Sequence, residues 1–317
     1  MALTASVVLG GCSSSTPVLP AFATVSDHSL SGKVWDVAAQ KFLDPVTLAR
    51  SAASADVVLL GEQHDNPDHH RLQAWMLEMI SARGVPPALV AFEQLDFEDQ
   101  DTVDEVVRSG GDAGALEAAV QWSRSGWPPF EMYRPVFEVA LREGMTIRAA
   151  NLSRARLHGP SALPQLEVPL PARFRDAMAA EIADAHCGYA SEHMAHAMIQ
   201  MQRHRDAAMA EVLASGCGRA PGDAAAAPCV LMAGFGHVRR DRGVPMYLRH
   251  ASPRLRVLSV AFLEVDGQMD DPAQYLRSFG EERAFDYAWF TPRVERQDPC
   301  IEFRQQLQRM RSKGHGV

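Results

Sequence analysis

A chain of 317 residues, 47% hydrophobic and 22% charged, has enough apolar material for a sizeable core and enough length for one large α/β unit with insertions. Its formal net charge of −8 and its short basic clusters exclude a surface built to attract phosphate backbones, so nucleic acid is set aside as a partner.

The chain opens on an apolar run, Ala2 to Gly11, that leads into Leu9-Gly10-Gly11-Cys12 and a Ser/Thr/Pro stretch. This is the pattern of a bacterial lipoprotein signal, with Cys12 as the lipid-accepting mature N-terminus and residues 1–31 as signal and flexible tether. The run lacks a preceding Lys or Arg, a gap that a start codon placed too far downstream explains; an ordinary secretory signal is the alternative. No other segment approaches the roughly 20 apolar residues of a spanning helix, so attachment is expected through lipid, at the outer membrane of the cell envelope, facing the periplasm or the surface. Export puts Cys187, Cys217, Cys229 and Cys300 where disulfides persist. Cys217 with Cys229 is the favoured pair, because the two bracket a Gly/Ala/Pro-rich loop; buried free thiols are the alternative, and no cysteine spacing suits zinc.

Gly32 to Leu43 alternates weakly, as an edge hairpin does, and Asp44 to Ala53 reads as a short capped helix. Val57 to Gly61 is the first central strand. Asn66-Pro67 then marks a helix start, with Leu72, Trp75, Met76, Met79 and Ile80 on its apolar face and an end near Gly84. Ala88 to Glu93 is the second strand, followed by an acidic helix over 97–108, a Gly/Trp-rich connection and a helix over 131–143 that Gly144 terminates. Thr146 to Asn151 is the third strand. A loop from Pro160 to Pro171 precedes helices over 172–186 and 191–215, which form a helical insertion (about 171–216) between the third and fourth core strands. Cys229 to Ala233 is the fourth strand and Arg256 to Val265 a fifth, apolar enough to be buried. Recurring strand–helix units predict an α/β fold with a mostly parallel central sheet flanked by helices. The domain spans 32–265, and residues 266–317 are a C-terminal extension packed on it.

Four of these strands end in chemically capable residues, so Glu62, His64, Glu93, Asn151 and His237 gather along one edge of a parallel sheet. Alternation sends Glu62 and His64 to the same side, and the free amides of the helix at Pro67 suit an anionic ligand group. Two Glu and two His can bind a divalent ion with room for water, or form a metal-free acid/base cluster; either supports a hydrolase with Glu62, His64, Glu93 and His237 as catalytic groups. A polar turn that merely caps the next helix is the structural alternative. Gly234 and Gly236 permit close backbone approach or positive φ. Arg239, Arg240 and Arg242 could pair with ligand carboxylates, a solvated turn being the commoner role.

The helix over 191–215 offers another kind of site. Met194, Met198 and Met201 form an apolar stripe, with His193, Gln200 and His204 on a neighbouring face and His196 between, while His186 and Tyr189 precede it. Methionine accommodates flat apolar ligands, and His, Tyr or Met can ligate haem iron; a Met-rich core stripe is the structural alternative. The absence of Cys-x-x-Cys-His excludes covalent c-type haem.

Taken in order behind the lipobox, VVLLGEQHDNPDHH, AFEQ, WPPFEMYRPVFE, NLSR, HCGY and GFGHVRRDRGVP resemble the ChaN-like haem-binding lipoprotein family over about Gly32 to Val265. The resemblance implies a fold related to Tiki proteases and erythromycin esterases. It also implies an iron-regulated tethered protein for haem or iron uptake that binds haem non-covalently, with a tyrosine on the iron, between two protomers of a homodimer and with an outer-membrane haem receptor as a further partner. Tyr133 and Tyr189 both lie in matching motifs, and the preference is narrowly for Tyr133. Haem contacts are expected from these together with His186, His193, Met194, Met198, Asn151 and Arg154. Phe235 departs from the asparagine expected between the two glycines of GFGH, which removes a polar group there.

Overall fold

The structure, a computed structural model, describes residues 16–83, 86–159, 163–164, 168–217, 227–267, 269–280, 283–298, 300–301, 304–305 and 308–309. The lipobox with Cys12, Gly84 and parts of the 160–171 and 218–228 loops lie outside the described residues. The strands are β1 (Val34–Asp36), β2 (Lys41–Leu43), β3 (Val57–Glu62), β4 (Leu89–Asp96), β5 (Thr146–Asn151), β6 (Cys229–Gly234), β7 (Val257–Glu264) and β8 (Tyr287–Thr291). They form one sheet in the order β2-β1-β8-β7-β3-β6-β4-β5. The pairs among β3 to β8 are all parallel, and the β1–β2 hairpin joins antiparallel at one edge. β3 and β6, buried on both faces, are the unbroken apolar runs VVLLG and CVLMAG that a covered parallel sheet requires.

Helices α1 (Pro45–Ala53), α2 (Pro67–Ser81), α3 (Gln100–Arg108), α4 (Ala113–Ala119) and α5 (Phe130–Arg142) surround one core, where Phe92 of β4 stacks on Phe137 of α5 with centroids 4.4 Å apart. Such a stack adds about 0.5–1.5 kcal/mol beyond area burial. The opposite face is covered by α8 (Glu192–Gly216), α9 (Val244–Ala251) and α10 (Pro272–Arg277), with Leu59, Ala91, Leu231 and Ala261 beneath them. Between β5 and α8 lie α6 (Arg154–His158) and α7 (Ala172–Ala185). Asp44 and Asn66 cap α1 and α2, each followed by proline, as their spacing predicts. Gly144 ends α5 at φ 66°, in the left-handed region that glycine occupies without strain.

The stretch after Val265 does more than pack on the domain, since β8 is a strand inside the sheet, between β7 and β1. Nor does the tether run free to residue 31. Trp75 Nε1 donates to Pro17 O at 3.2 Å, Ala23 N donates to Asp68 Oδ1 at 2.6 Å and Phe22 packs against the α1–α5 core. Disulfides join Cys217 to Cys229, the expected pair, and Cys187 to Cys300. No helix among the described residues is long and apolar enough to cross a membrane.

Candidate functional site

Parallel registration puts the ends of β3 and β6 side by side, with Glu62 opposite Gly234. β4 does not follow the same register. Phe92 faces Ala149 of β5, but the next pairing is Asp96 with Asn151, so β4 spends four steps where β5 spends two. This bulge re-aims the intervening side chains, and bulges beside sites commonly do so. Glu93 turns to β6, where its Oε2 accepts Gly234 N at 2.7 Å, and Gln94 turns to β3, donating Nε2 to Glu62 Oε1 at 2.8 Å.

Glu62 is 1% exposed and sits at the centre. Its Oε1 accepts from His64 Nδ1 at 2.9 Å, from Gln94 and from the Tyr133 hydroxyl at 3.1 Å. Its Oε2 accepts from Gln73 Nε2 at 2.8 Å and lies 3.2 Å from His70 Nδ1. The other ring nitrogen of His70 faces His64 O at 3.0 Å, so both of its nitrogens meet acceptors and the ring is an imidazolium. Burial opposes charge on this pair, but their mutual attraction outweighs it: Glu62 stays well below the usual carboxylate range and His70 rises above the usual histidine value.

A second group stands beside the first. His237 Nε2 is 3.1 Å from Glu93 Oε1, and its Nδ1 donates to Asp206 Oδ1 of α8 at 2.6 Å. With a carboxylate on each nitrogen, this ring too is cationic. Burial alone would lower it, yet Glu93 and Asp206 raise it to about 10. Glu93 is brought down to about 2 because His237, His64 and the Gly234 amide overcome its burial. Asp206 is pushed up to about 6 by burial, against the pull of His237. His64 links the two groups: one nitrogen is on Glu62, the other 4.0 Å from Glu93 Oε2, and Trp127 meets its ring edge-on at 4.8 Å. Burial lowers its pKa, and Glu93 and Glu62 more than restore it. Among these imidazoles only His64 presents an appreciable surface, its side chain being 36% exposed. Gly234 makes the seat for it, since a Cβ there would stand 2.9 Å from His64 Nε2.

The structure therefore brings Glu62, His64, Glu93 and His237 together as expected. It does not arrange them as a metal centre: their oxygens and nitrogens are turned on one another, and among the described residues no three His, Cys, Asp or Glu are placed to hold an ion. The amide at the start of α2 is likewise taken, by Asn66 Oδ1 at 2.9 Å, and is not left for an anion. Arg239, Arg240 and Arg242 do not form a solvated turn; they pair with Asp241, Asp286 and Glu181. Phe235 packs edge-on against Phe279. Gly234 and Gly236 are absent from the positive-φ glycines, so close approach is what Gly234 supplies.

The two tyrosines separate sharply. Tyr133 is 1% exposed with its hydroxyl on Glu62, and burial together with that carboxylate pushes its pKa far up, so it can neither ionise nor reach a ligand outside. Tyr189 is 52% exposed, in the turn between α7 and α8. Around that turn His193 is exposed, Met194 and Met198 are half-buried and His186 contacts Ile182 O through Nδ1 at 2.8 Å. Asn151 donates to Asp96 Oδ1 at 2.9 Å, and Arg154 is exposed at the head of α6. Residues that pattern reading passed over are His70, Gln73, Gln94 and Asp206. Asp206 did carry a signal, an acid directly before the buried run Ala207 to Ala210.

Residues 48–248 match the family described as haem-binding uptake, Tiki superfamily, ChaN. The chain belongs to the ChaN family. Among curated proteins nothing matches. Of solved structures, the ChaN of Campylobacter jejuni, described as showing cofacial haem binding, is 20% identical, with a TM-score of 0.62 over 81% of this chain and 95% of that one. The type III effector HopBA1 (14% identity, TM-score 0.44, 85% of this chain and 100% of that one) is more distant. So is RRSP, a toxin effector domain from Vibrio vulnificus CMCP6 (15%, 0.42, 68% and 36%). This member thus keeps the ChaN α/β fold, with the Glu/His cluster at the carboxyl edge of its sheet and a helical hairpin above it.

Proposed function

We propose that this chain binds haem non-covalently at the α7–α8 hairpin, with the Tyr189 phenolate as iron ligand, and serves haem or iron acquisition from a lipid anchor at Cys12 in the cell envelope. The observation that carries the reading is the accessibility of Tyr189, set against the sequestration of Tyr133. Membership of the ChaN family and the cofacial haem of the Campylobacter relative support it. The residues fit the group: a phenolate is a hard anionic donor for ferric haem, Met194 and Met198 offer adaptable apolar contact, His186 and His193 flank them, and the exposed Arg154 is a charged partner for a propionate, whereas Asn151 is buried with its amide on Asp96. A turn on the surface presents its ligand outward, which suits a pair of chains meeting across their haems and hand-over with an outer-membrane receptor. Two disulfides suit an oxidising compartment outside the inner membrane. Titrating haem into leaderless protein, we expect a saturable Soret band whose affinity falls at least about tenfold (~1.4 kcal/mol) in Tyr189→Phe and is kept in Tyr133→Phe. Undiminished binding by Tyr189→Phe would sink the assignment.

One observation favours a second activity on the same scaffold. His64 is oriented through Nδ1 by Glu62 while its side chain is 36% exposed, the posture of a general base for water. In that reading Glu62 and Glu93 hold His64 in place, and His237 secures Glu93. His64→Ala is then expected to abolish ester hydrolysis while haem binding persists; a panel of aryl esters turned over equally by both proteins removes the reading.

A further inference from the structure

At the opposite edge of the sheet, where α1 and α2 end and β7 and β8 begin, a cavity of about 660 Å³ is lined by Arg50, Arg83, Arg256 and Arg283, with Ser51 and Tyr287 between them. That size suits a small-molecule ligand. In a chain of net charge −8, four guanidiniums around one cavity are a local reversal of sign.

The carboxylates nearby do not balance them. Asp56 is committed to Arg256, meeting its guanidinium at 3.1 and 3.2 Å and its amide at 2.7 Å. Asp286 is shared by Arg240 and Arg283 through one oxygen, while its other oxygen accepts Ser259 N at 3.0 Å. Asp36 turns Oδ1 back on the amides of Ala38 and Ala39. Five guanidiniums thus meet three carboxylates, each already engaged. Arg50 and Arg83 make no ion pair or side-chain hydrogen bond among the described residues. Both stand where helices end, and a cation is favoured there. Helix ends alone would draw each guanidinium onto the last carbonyls, and neither makes such a bond; both line the cavity instead.

We infer that this cavity is a second ligand site, distinct from the Glu/His cluster and the Tyr189 hairpin, for a small polyanion bearing at least two phosphate or carboxylate groups. Arg50 and Arg83 engage it as planar forks, which match the paired oxygens of either group. The hydroxyls of Ser51 and Tyr287 add neutral polar contacts. Two anionic groups are required because the two uncompensated cations stand at separate places, Arg50 in the last turn of α1 and Arg83 just past the end of α2.

Calorimetric titration of the folded protein with pyrophosphate and with citrate, at low ionic strength, tests the site. Wild type should bind at least one of the two saturably at one site per chain, and the preferred anion identifies phosphate or carboxylate chemistry. In Arg50→Gln/Arg83→Gln the affinity should fall at least tenfold, and Arg50→Lys/Arg83→Lys, which keeps charge but loses the fork, should fall between. Arg108→Gln, in an exposed pair with Glu105 on α3, should leave binding unchanged. Tyr189→Phe should also leave it unchanged, which separates this site from the haem reading. Absence of saturable binding by both anions overturns the proposal, as does binding that survives in the double glutamine variant or that Arg108→Gln weakens equally.

Discussion

Glu62→Gln lowers the free energy of unfolding by about 3–5 kcal/mol at neutral pH, the usual range for breaking a buried ion pair by removing one partner. The substitution keeps the shape and removes only charge and one acceptor oxygen. Glu62 receives His64, Gln94 and Tyr133 on one oxygen and Gln73 and His70 on the other. A glutamine amide can satisfy one of those sets, and its NH₂ then confronts donors on the other side. His70, completely buried, is left as a cation without its counter-charge, or must shed its Nδ1 proton and keep only the bond to His64 O. The loss belongs to the pair, so Glu62→Gln/His70→Gln should recover on the order of 1 kcal/mol or more in a double-mutant cycle. Urea midpoints of the four proteins measure this; strictly additive losses would show that Glu62 and His70 do not depend on each other.

The second large effect is a stability profile with two falling limbs. Glu93 has a folded pKa of about 2 against 4.5 for the free group, so the stability it contributes is complete above about pH 4.5 and disappears as pH falls towards 2. His237 has a folded pKa of about 10 against 6.5, so its contribution is complete below about pH 6.5 and disappears as pH rises through 10. Asp206 runs the other way, because burial holds it near 6 and a cost accumulates between about pH 4 and 6. Greatest stability from these three groups is therefore expected near pH 4.5, where Glu93 is ionised and the cost at Asp206 has only begun. The acid limb is worth roughly 3 kcal/mol, at ~1.4 kcal/mol per pH unit, and Glu93→Gln should flatten it. The two limbs report one shared contact, so they are not summed. Urea unfolding at pH 2, 4.5 and 10 decides the matter, and equal midpoints would refute the charge assignment.

What the sequence discloses of this molecule follows from where the information resides. An apolar run ending in a polar residue is local, so β3, β4, β5 and β6 and the convergence of Glu62, Glu93 and His237 could be read directly. Partners supplied by helices could not. His70 and Asp206 reach the cluster because α2 and α8 take particular rotations against the sheet, and those are outcomes of packing on Leu60, Phe92 and Leu231, not of spacing within either helix. The β4 bulge that sends Glu93 and Gln94 to different neighbours leaves no mark in AFEQ. β8 was hidden for a related reason: YAWFT is short, follows a charged stretch, and becomes a strand because β7 and β1 offer it two edges. Tyr133 and Tyr189 look alike in their motifs, and only burial separates them.

The bond between Cys187 and Cys300 spans 113 positions and encloses the stretch closed by Cys217 and Cys229, 12 apart. A protease that cuts the backbone once between residues 218 and 228 thus leaves its two products tied together by two independent covalent links. On a gel without reductant the nicked molecule runs as one chain, and β6, β7 and β8 stay attached to the half that carries β3, β4 and β5. A cut in this stretch becomes a loss of material only where thiols are abundant.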